Sequence, residues 1–173
     1  MNEVLNCLET RRSVRKYLPK QLADAELNAI LEAGIYAPTA MGRQSPKIVV
    51  LQKPEDVAEL ERMNAAVLGN PDSHPFYGAP TVLVVLADAK AGTAVEDGSL
   101  VLGNLMNAAH ALGVGSCWIH RAREEFASGE GKALLKRWGI EGDWVGVGHC
   151  ILGYAAEPAA PAKPRKADYI VRV

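Results

Sequence analysis

Apolar positions along the chain change period several times, and each change predicts an element. Val4, Leu5 and Leu8 fall on one side of a short helix over residues 3–10. From Asp24, a residue suited to a helix N-cap, Leu27, Ile30 and Leu31 form a stripe at helical spacing that stops near Gly34 and Pro38. Lys47-Ile48-Val49-Val50-Leu51 is a β-branched run and predicts a buried strand. Residues 54–63 read as a helix with Pro54 at its first position. Thr81 to Ala87 is the clearest buried strand. Ser99 to Leu112 is apolar around most of its circumference and so needs cover on all sides, from a core around it or from a second copy of the chain. Gly113 to Gly115 form a turn into a strand that His120 ends. Residues 131–138 predict a helix, and 145–152 a strand in which Gly146 and Gly148 admit something close to the backbone.

Between these elements the chain is punctuated. Residues 37–46 hold two prolines, a glycine and several small residues, and read as an ordered loop. Residues 70–75 are a loop by composition. From Ala155 the chain is rich in Ala and Pro and ends in Lys163-Pro164-Arg165-Lys166 and an extended Tyr169-Ile170-Val171, a form suited to crossing a surface or embracing a partner. No repeat or linker divides the chain, so residues 1–173 read as a single domain. The alternation of helices and strands predicts a layered α+β or α/β architecture.

Composition narrows the function classes. Of 173 residues, 49% are hydrophobic and 23% charged, a globular mix. A net charge of −1 argues against a general nucleic-acid binder. Cys7, Cys117 and Cys150 form no disulfide framework, and with His74, His110, His120 and His149 they show no metal-ligand spacing. No basic and apolar leader opens the chain and no apolar run is long enough to span a bilayer, so a cytoplasmic protein is expected.

The candidate chemistry starts at Arg11-Arg12-Ser13-Val14-Arg15, three guanidinium groups and a hydroxyl within five residues. Arg forks match phosphate oxygens, and a phosphate monoester carries about −1.5 to −2 charges at pH 7. The stretch therefore reads as a phosphate clasp or, alternatively, as a solvated basic loop. There is no Gly-x-Gly-x-x-Gly, no phosphate-binding loop with Lys-Ser/Thr and no nucleophile elbow. Cys117 and Cys150 lie in apolar strands and read as structural, as do His110 and His149; His120 stands out because it ends its strand beside Arg121 and Arg123. A chain with so few candidate acids and bases borrows its chemistry from a cofactor.

Four stretches, in order, resemble the nitroreductase-type flavoprotein family: Arg11 to Tyr17, its phosphate motif; Ala37 to Pro46, its loop before the first strand; Gly113-Val114-Gly115-Ser116-Cys117-Trp118, its Gly-rich turn; and Gly153-Tyr154 followed by Pro158, Lys163, Arg165 and Lys166, its basic ending. The resemblance implies an α+β three-layer fold, a central mixed but mainly antiparallel sheet between helices, and an intertwined homodimer. It implies an FMN site in which Arg11, Arg12, Ser13 and Arg15 hold the phosphate and ribityl chain and Arg165, with Lys163, closes on them from the tail. Pro38, Thr39, Ala40 and Gly42 would lie beside the isoalloxazine ring, donated across the dimer. Trp118, Ile119 and His120 would border its other side, and Asn70 would touch the ribityl chain.

The activity implied is NADH- or NADPH-dependent reduction of nitroaromatics, quinones or similar small acceptors by ping-pong hydride transfer. Flavin N5 carries the chemistry, and no catalytic side chain is named. Thr39 keeps the hydroxyl of the family's Ser. Gly42 replaces its Asn and widens the substrate side. Two alternatives stay open: a reductive dehalogenase-like flavoenzyme on the same fold, and a flavin-binding protein without turnover.

Overall fold

The computed structural model describes residues 2–173; Met1, included in the expected 1–173 unit, lies outside the described residues. Six α-helices and four strands follow in the order α1 (Glu3–Thr10), α2 (Asp24–Ile35), β1 (Pro46–Leu51), α3 (Pro54–Leu68), β2 (Thr81–Asp88), α4 (Ala94–Ala111), β3 (Gly115–Ile119), α5 (Ala122–Ala127), α6 (Gly129–Arg137) and β4 (Trp144–Gly153). The strands form one sheet in the order β1-β2-β4-β3, and all three ladders are antiparallel. The one parallel pairing among the described residues is an isolated bridge from Ser13 to Ser116.

β2 explains the layering. Val82, Val84 and Leu86 join Leu60, Phe76, Phe126 and Leu134 on one face, beneath α3, α5 and α6. The alternate residues Leu83, Val85 and Ala87 join Ile30, Val101, Leu102 and Leu105 on the other, beneath α2 and α4. A strand covered on both faces is apolar at consecutive positions rather than alternate ones, as its sequence is. Two cores thus flank one sheet, the three-layer α+β arrangement expected.

Several boundaries differ from expectation, each for a local reason. α2 is capped by Ala23, and Glu26 accepts the Ala23 N–H at 3.1 Å, so Asp24 is the first helical residue rather than the cap. α3 runs five residues past Met63, through Asn64 to Leu68, until Gly69 ends it at φ +76°. α4 begins at Ala94, with Glu96 and Asp97 in its first turn. Residues 40–42 of the loop make a short 3₁₀ turn. Ser128 accepts the Gly131 N–H and starts α6 at Gly129, two residues before the expected helix, while α5 before it is a short helix the sequence reading does not include. α4 is not covered all round within the chain: Val101, Leu102 and Leu105 are buried, but Leu100 is 47% and Leu112 44% exposed.

Candidate functional site

The arginine stretch is held as a rigid strip along the β3 edge. Val14 N–H donates to the Ser116 carbonyl at 2.9 Å, Leu18 N–H to the Tyr154 carbonyl and Ala156 N–H to the Lys16 carbonyl. Residues 13–18 are therefore clamped between the start of β3 and the chain leaving β4. Val14 and Tyr17 point into the core, and the Tyr17 hydroxyl donates to the Val14 carbonyl at 2.8 Å. Burial pushes the Tyr17 phenol up, which keeps it a neutral donor. Arg12 turns back on α1: its Nη1 donates to the carbonyls of Glu9 and Arg11 at 2.8 and 2.7 Å, completing the C-terminal end of that helix.

Arg11 behaves differently. Its Nη1 is buried without a hydrogen-bond partner among the described residues, and so is the Ser116 hydroxyl. Buried donors are nearly always satisfied, and a bare one costs its desolvation, roughly 1–3 kcal/mol or more when charged. Ser116 alternates with Cys117 along β3 and so shares with Trp118 the α4 face of the sheet. The Arg11 charge is felt on that side too. Burial first, then Arg11 and Arg12, lowers the pKa of His110, whose Nε2 pairs with the Thr10 hydroxyl at 2.9 Å. Burial pushes the Cys150 thiol up, with Cys117 adding to it and Arg11 opposing. The side chains of Ser13 and Arg15 make no hydrogen bond among the described residues, and both line a groove of about 150 Å³ with Lys16 and Glu157. A guanidinium with a buried Nη1, two hydroxyls and the Arg15 cation along one strip fit a phosphate monoester, while Lys16 is paired with Glu157 at 3.0 Å. Sequence alone does not single out Ser116; only its register beside Ser13 reveals it.

The second candidate region is the 37–46 loop, held from α4. Asp97, 3% exposed, accepts the Ala40 N–H at 3.0 Å, the Ser45 hydroxyl at 2.8 Å and the Thr93 hydroxyl at 3.3 Å. The Ala40 N–H, the two hydroxyls and the Arg43 charge hold its carboxyl below the usual range against the opposing effect of burial. Thr39 Oγ1 accepts the Gln44 N–H at 3.0 Å and closes the loop on itself. Pro38 and Gly42 are exposed, Thr39 and Ala40 half-buried. Gly42 sits at φ +65°, and a Cβ there would have no heavy atom within 4 Å. Asp97 is the organiser of this loop, and sequence gives no sign of it because the acid lies 57 residues from its partner Ala40.

The third region is the end of β3. Trp118 lies against Gly148: a Cβ there would sit 2.5 Å from the indole Nε1. Gly146 admits the Ala122 carbonyl in the same way. The expectation of close approach at these two glycines thus holds, and the visitors are Trp118 and the start of α5. Ile119 packs on the opposite face from Trp118, and His120 is exposed. Asn70 is exposed just beyond α3, where its N–H donates to the Ala65 carbonyl. Lys163 and Arg165 lie on the exposed tail, where their side chains make no hydrogen bond or ion pair among the described residues.

His149 and Glu125 form a further pair, fully buried, at 2.5 Å between Nε2 and Oε2, with Phe76 edge-on to the imidazole. His149 is the core residue its apolar strand predicts, but nothing in the sequence points to its partner.

The chain thus brings Arg11, Ser13 and Ser116 to one corner and leaves Pro38 to Gly42 at another. Ser13 meets β3 at Ser116, which pairs with Leu152, whereas Pro46, next to the loop, aligns through Ala87 with Val145. Three strand spacings and seven residues separate the corners, roughly 14 Å across and roughly 23 Å along the sheet. Among the described residues no cluster of His, Cys, Asp or Glu could hold a metal ion, and no helix is long and apolar enough to cross a membrane.

Comparison with known proteins gives a consistent result. The model of the nitroreductase family matches residues 8–76 and 70–154. An Archaeoglobus fulgidus protein named "Putative NADH dehydrogenase/NAD(P)H nitroreductase" is 32% identical over 89% of this chain and 86% of its own length. A Methanothermobacter thermautotrophicus protein of the same name is 30% identical over 67% of this chain, a match that takes in 60% of that relative's length. Among solved structures, a nitroreductase from Bacteroides fragilis crystallised with bound FMN superposes with a TM-score of 0.91 at 34% identity, covering 100% of both chains.

Proposed function

The chain belongs to the nitroreductase family, and on that premise we propose that it is an FMN-dependent NAD(P)H oxidoreductase acting on small electron acceptors such as nitroaromatics or quinones. The observation that carries the FMN reading is the buried, unpartnered Arg11 Nη1, together with the unpartnered hydroxyl of Ser116, the residue that Ser13 bridges. A phosphate would give such groups partners. Arg11, Ser13, Ser116 and Arg15 would hold it, with Arg12 adding charge while its Nη1 caps α1. Lys163 and Arg165 would close from a tail.

The remaining residues position and shield. Trp118 and His120, joined by the backbone of Ile119 at the end of β3, would border the ring on one side, and Asn70 would contact the ribityl chain. Pro38, Thr39, Ala40 and Gly42 present a small, low-profile surface to its other side, kept in shape by Asp97. When bound, FMN supplies the hydride-accepting and hydride-donating chemistry. The protein contributes charge at the phosphate, a walled face for the ring and exclusion of water from it.

The distance between the two corners, roughly 27 Å on strand geometry, supports a homodimer in which one copy donates the 37–46 loop to the other's site. So does the exposed apolar surface of Leu100 on α4, of Val4, Leu5 and Leu8 on α1, and of Tyr169, Ile170 and Val171 in the tail. We read the chain as one working unit within each copy.

The test is the visible absorption spectrum of the purified protein, with the released chromophore identified by chromatography, followed by anaerobic titration with NADH and NADPH. FMN at about one per chain, bleached by a nicotinamide, is the expected result. A colourless protein that also fails to take up added FMN overturns the reading.

A further inference from the structure

Arg121 occupies a place in the backbone that its side chain does not favour. It follows His120, begins α5 as its N-cap, and has φ +82° and ψ 0°, in the left-handed region. A residue with a Cβ is strained there unless its surroundings hold it. The N-cap makes no side-chain hydrogen bond to its own helix. What holds it comes from α3. Asn64, fully buried, donates from Nδ2 to the His120 carbonyl at 2.9 Å and accepts the Arg121 Nε–H on Oδ1 at 2.9 Å. One amide thus grips two consecutive residues, one by backbone and one by side chain. The next residue is fixed independently, since Gly146 leaves room for the Ala122 carbonyl to press onto β4.

We propose that Asn64 is a positioning residue for the cofactor site: its side-chain amide locks the His120–Arg121 turn in its left-handed form and so sets where Trp118, Ile119 and His120 stand against the flavin ring. The inference rests on the FMN reading above. It explains why a polar side chain is sunk without exposure on a helix otherwise buried through Leu60, Met63 and Ala65. It also explains how a non-glycine residue is kept at this backbone position. Asn64 makes its hydrogen bonds to residues 120 and 121 and acts through them.

The test compares Asn64→Leu, which keeps the volume and removes both hydrogen bonds, with Asn64→Asp, which keeps the acceptor for Arg121. Both are then combined with Arg121→Gly, because glycine adopts φ +82° without strain. Two readouts are taken. In the apo-protein, amide hydrogen exchange over residues 118–123 should accelerate about tenfold in Asn64→Leu relative to the rest of the sheet, less in Asn64→Asp, and return toward wild type when Arg121→Gly is added. In the holoprotein, the visible circular dichroism and midpoint potential of bound FMN should move in Asn64→Leu and be largely rescued in the double variant.

If Asn64→Leu lowers thermal stability while leaving exchange over 118–123, flavin dichroism and potential at wild-type values, Asn64 is merely structural and the proposal falls. It falls equally if Arg121→Gly rescues nothing. Should the wild-type protein bind no FMN, the cofactor reading fails, while the exchange measurement still decides whether Asn64 locks the turn.

Discussion

Replacing Gly148 with Ala places a methyl group in space that Trp118 and Leu102 already fill. The added Cβ would lie 2.5 Å from the Trp118 Nε1, 2.9 Å from its Cε2 and 3.0 Å from the Leu102 Cδ1. Ordinary contact begins at 3.4 Å, so the indole must retreat by about 0.9 Å. It cannot do so freely, because Trp118 is paired with Cys150 in the β3–β4 ladder and packed against the α2–α4 core. Overpacking of this kind costs about 1–3 kcal/mol. In a chain of this length, each kcal/mol lowers Tm by roughly 2–4 °C, so a fall of about 2–12 °C is expected by calorimetry. The same displacement acts on the proposed ring site, where a misplacement near 1 Å slows reaction by up to about 100-fold. Stopped-flow reduction of the bound flavin by the preferred nicotinamide measures it. An unchanged Tm refutes the packing argument. A lowered Tm with wild-type flavin reduction refutes the placement of Trp118 beside the ring.

The other predictions concern separate parts of the molecule. Arg11→Ala and Arg15→Ala together should release FMN while the far-ultraviolet circular dichroism stays that of a folded chain; flavin retained at wild-type stoichiometry would dismiss the phosphate clasp. Asp97 is held below its ordinary value of 3.8, so its stabilising contribution is fully present above that value and is lost as pH falls through the lowered one. Asn at this position should remove that part of the pH dependence, and Tm profiles of Asp97→Asn and wild type that run parallel between about pH 5 and pH 2 would contradict it. Truncating one member of the buried His149–Glu125 pair, as in Glu125→Leu, should cost about 1–3 kcal/mol in denaturant unfolding because the other polar group is left bare, whereas replacing both with Leu should cost far less. Equal losses in the single and double variants would count against a coupled pair.

The sequence determined the sorting of residues into elements for all but the short α5. Runs such as Thr81 to Ala87 and stripes such as Leu27, Ile30 and Leu31 declare their period locally. The short-range motifs were legible for the same reason: Arg11 to Arg15, the small-residue loop around Thr39 and the glycines beneath Trp118 each lie within a few residues. Ends of helices were less legible, because α3 and α4 extend through residues whose propensity permits either state, and neighbours decide.

The tertiary structure alone decided which distant groups meet. Ser116 became a phosphate candidate only when β3 laid it beside Ser13, more than 100 residues earlier in the chain. Asp97 with Ala40, Asn64 with Arg121 and Glu125 with His149 are likewise pairings set by sheet register and by helices packed over it. A polar side chain carries no mark in sequence of which buried partner will satisfy it. That partner is chosen by the apolar packing that fixes the elements in space, and the hydrogen bonds are then made by whatever polar groups that packing has enclosed together.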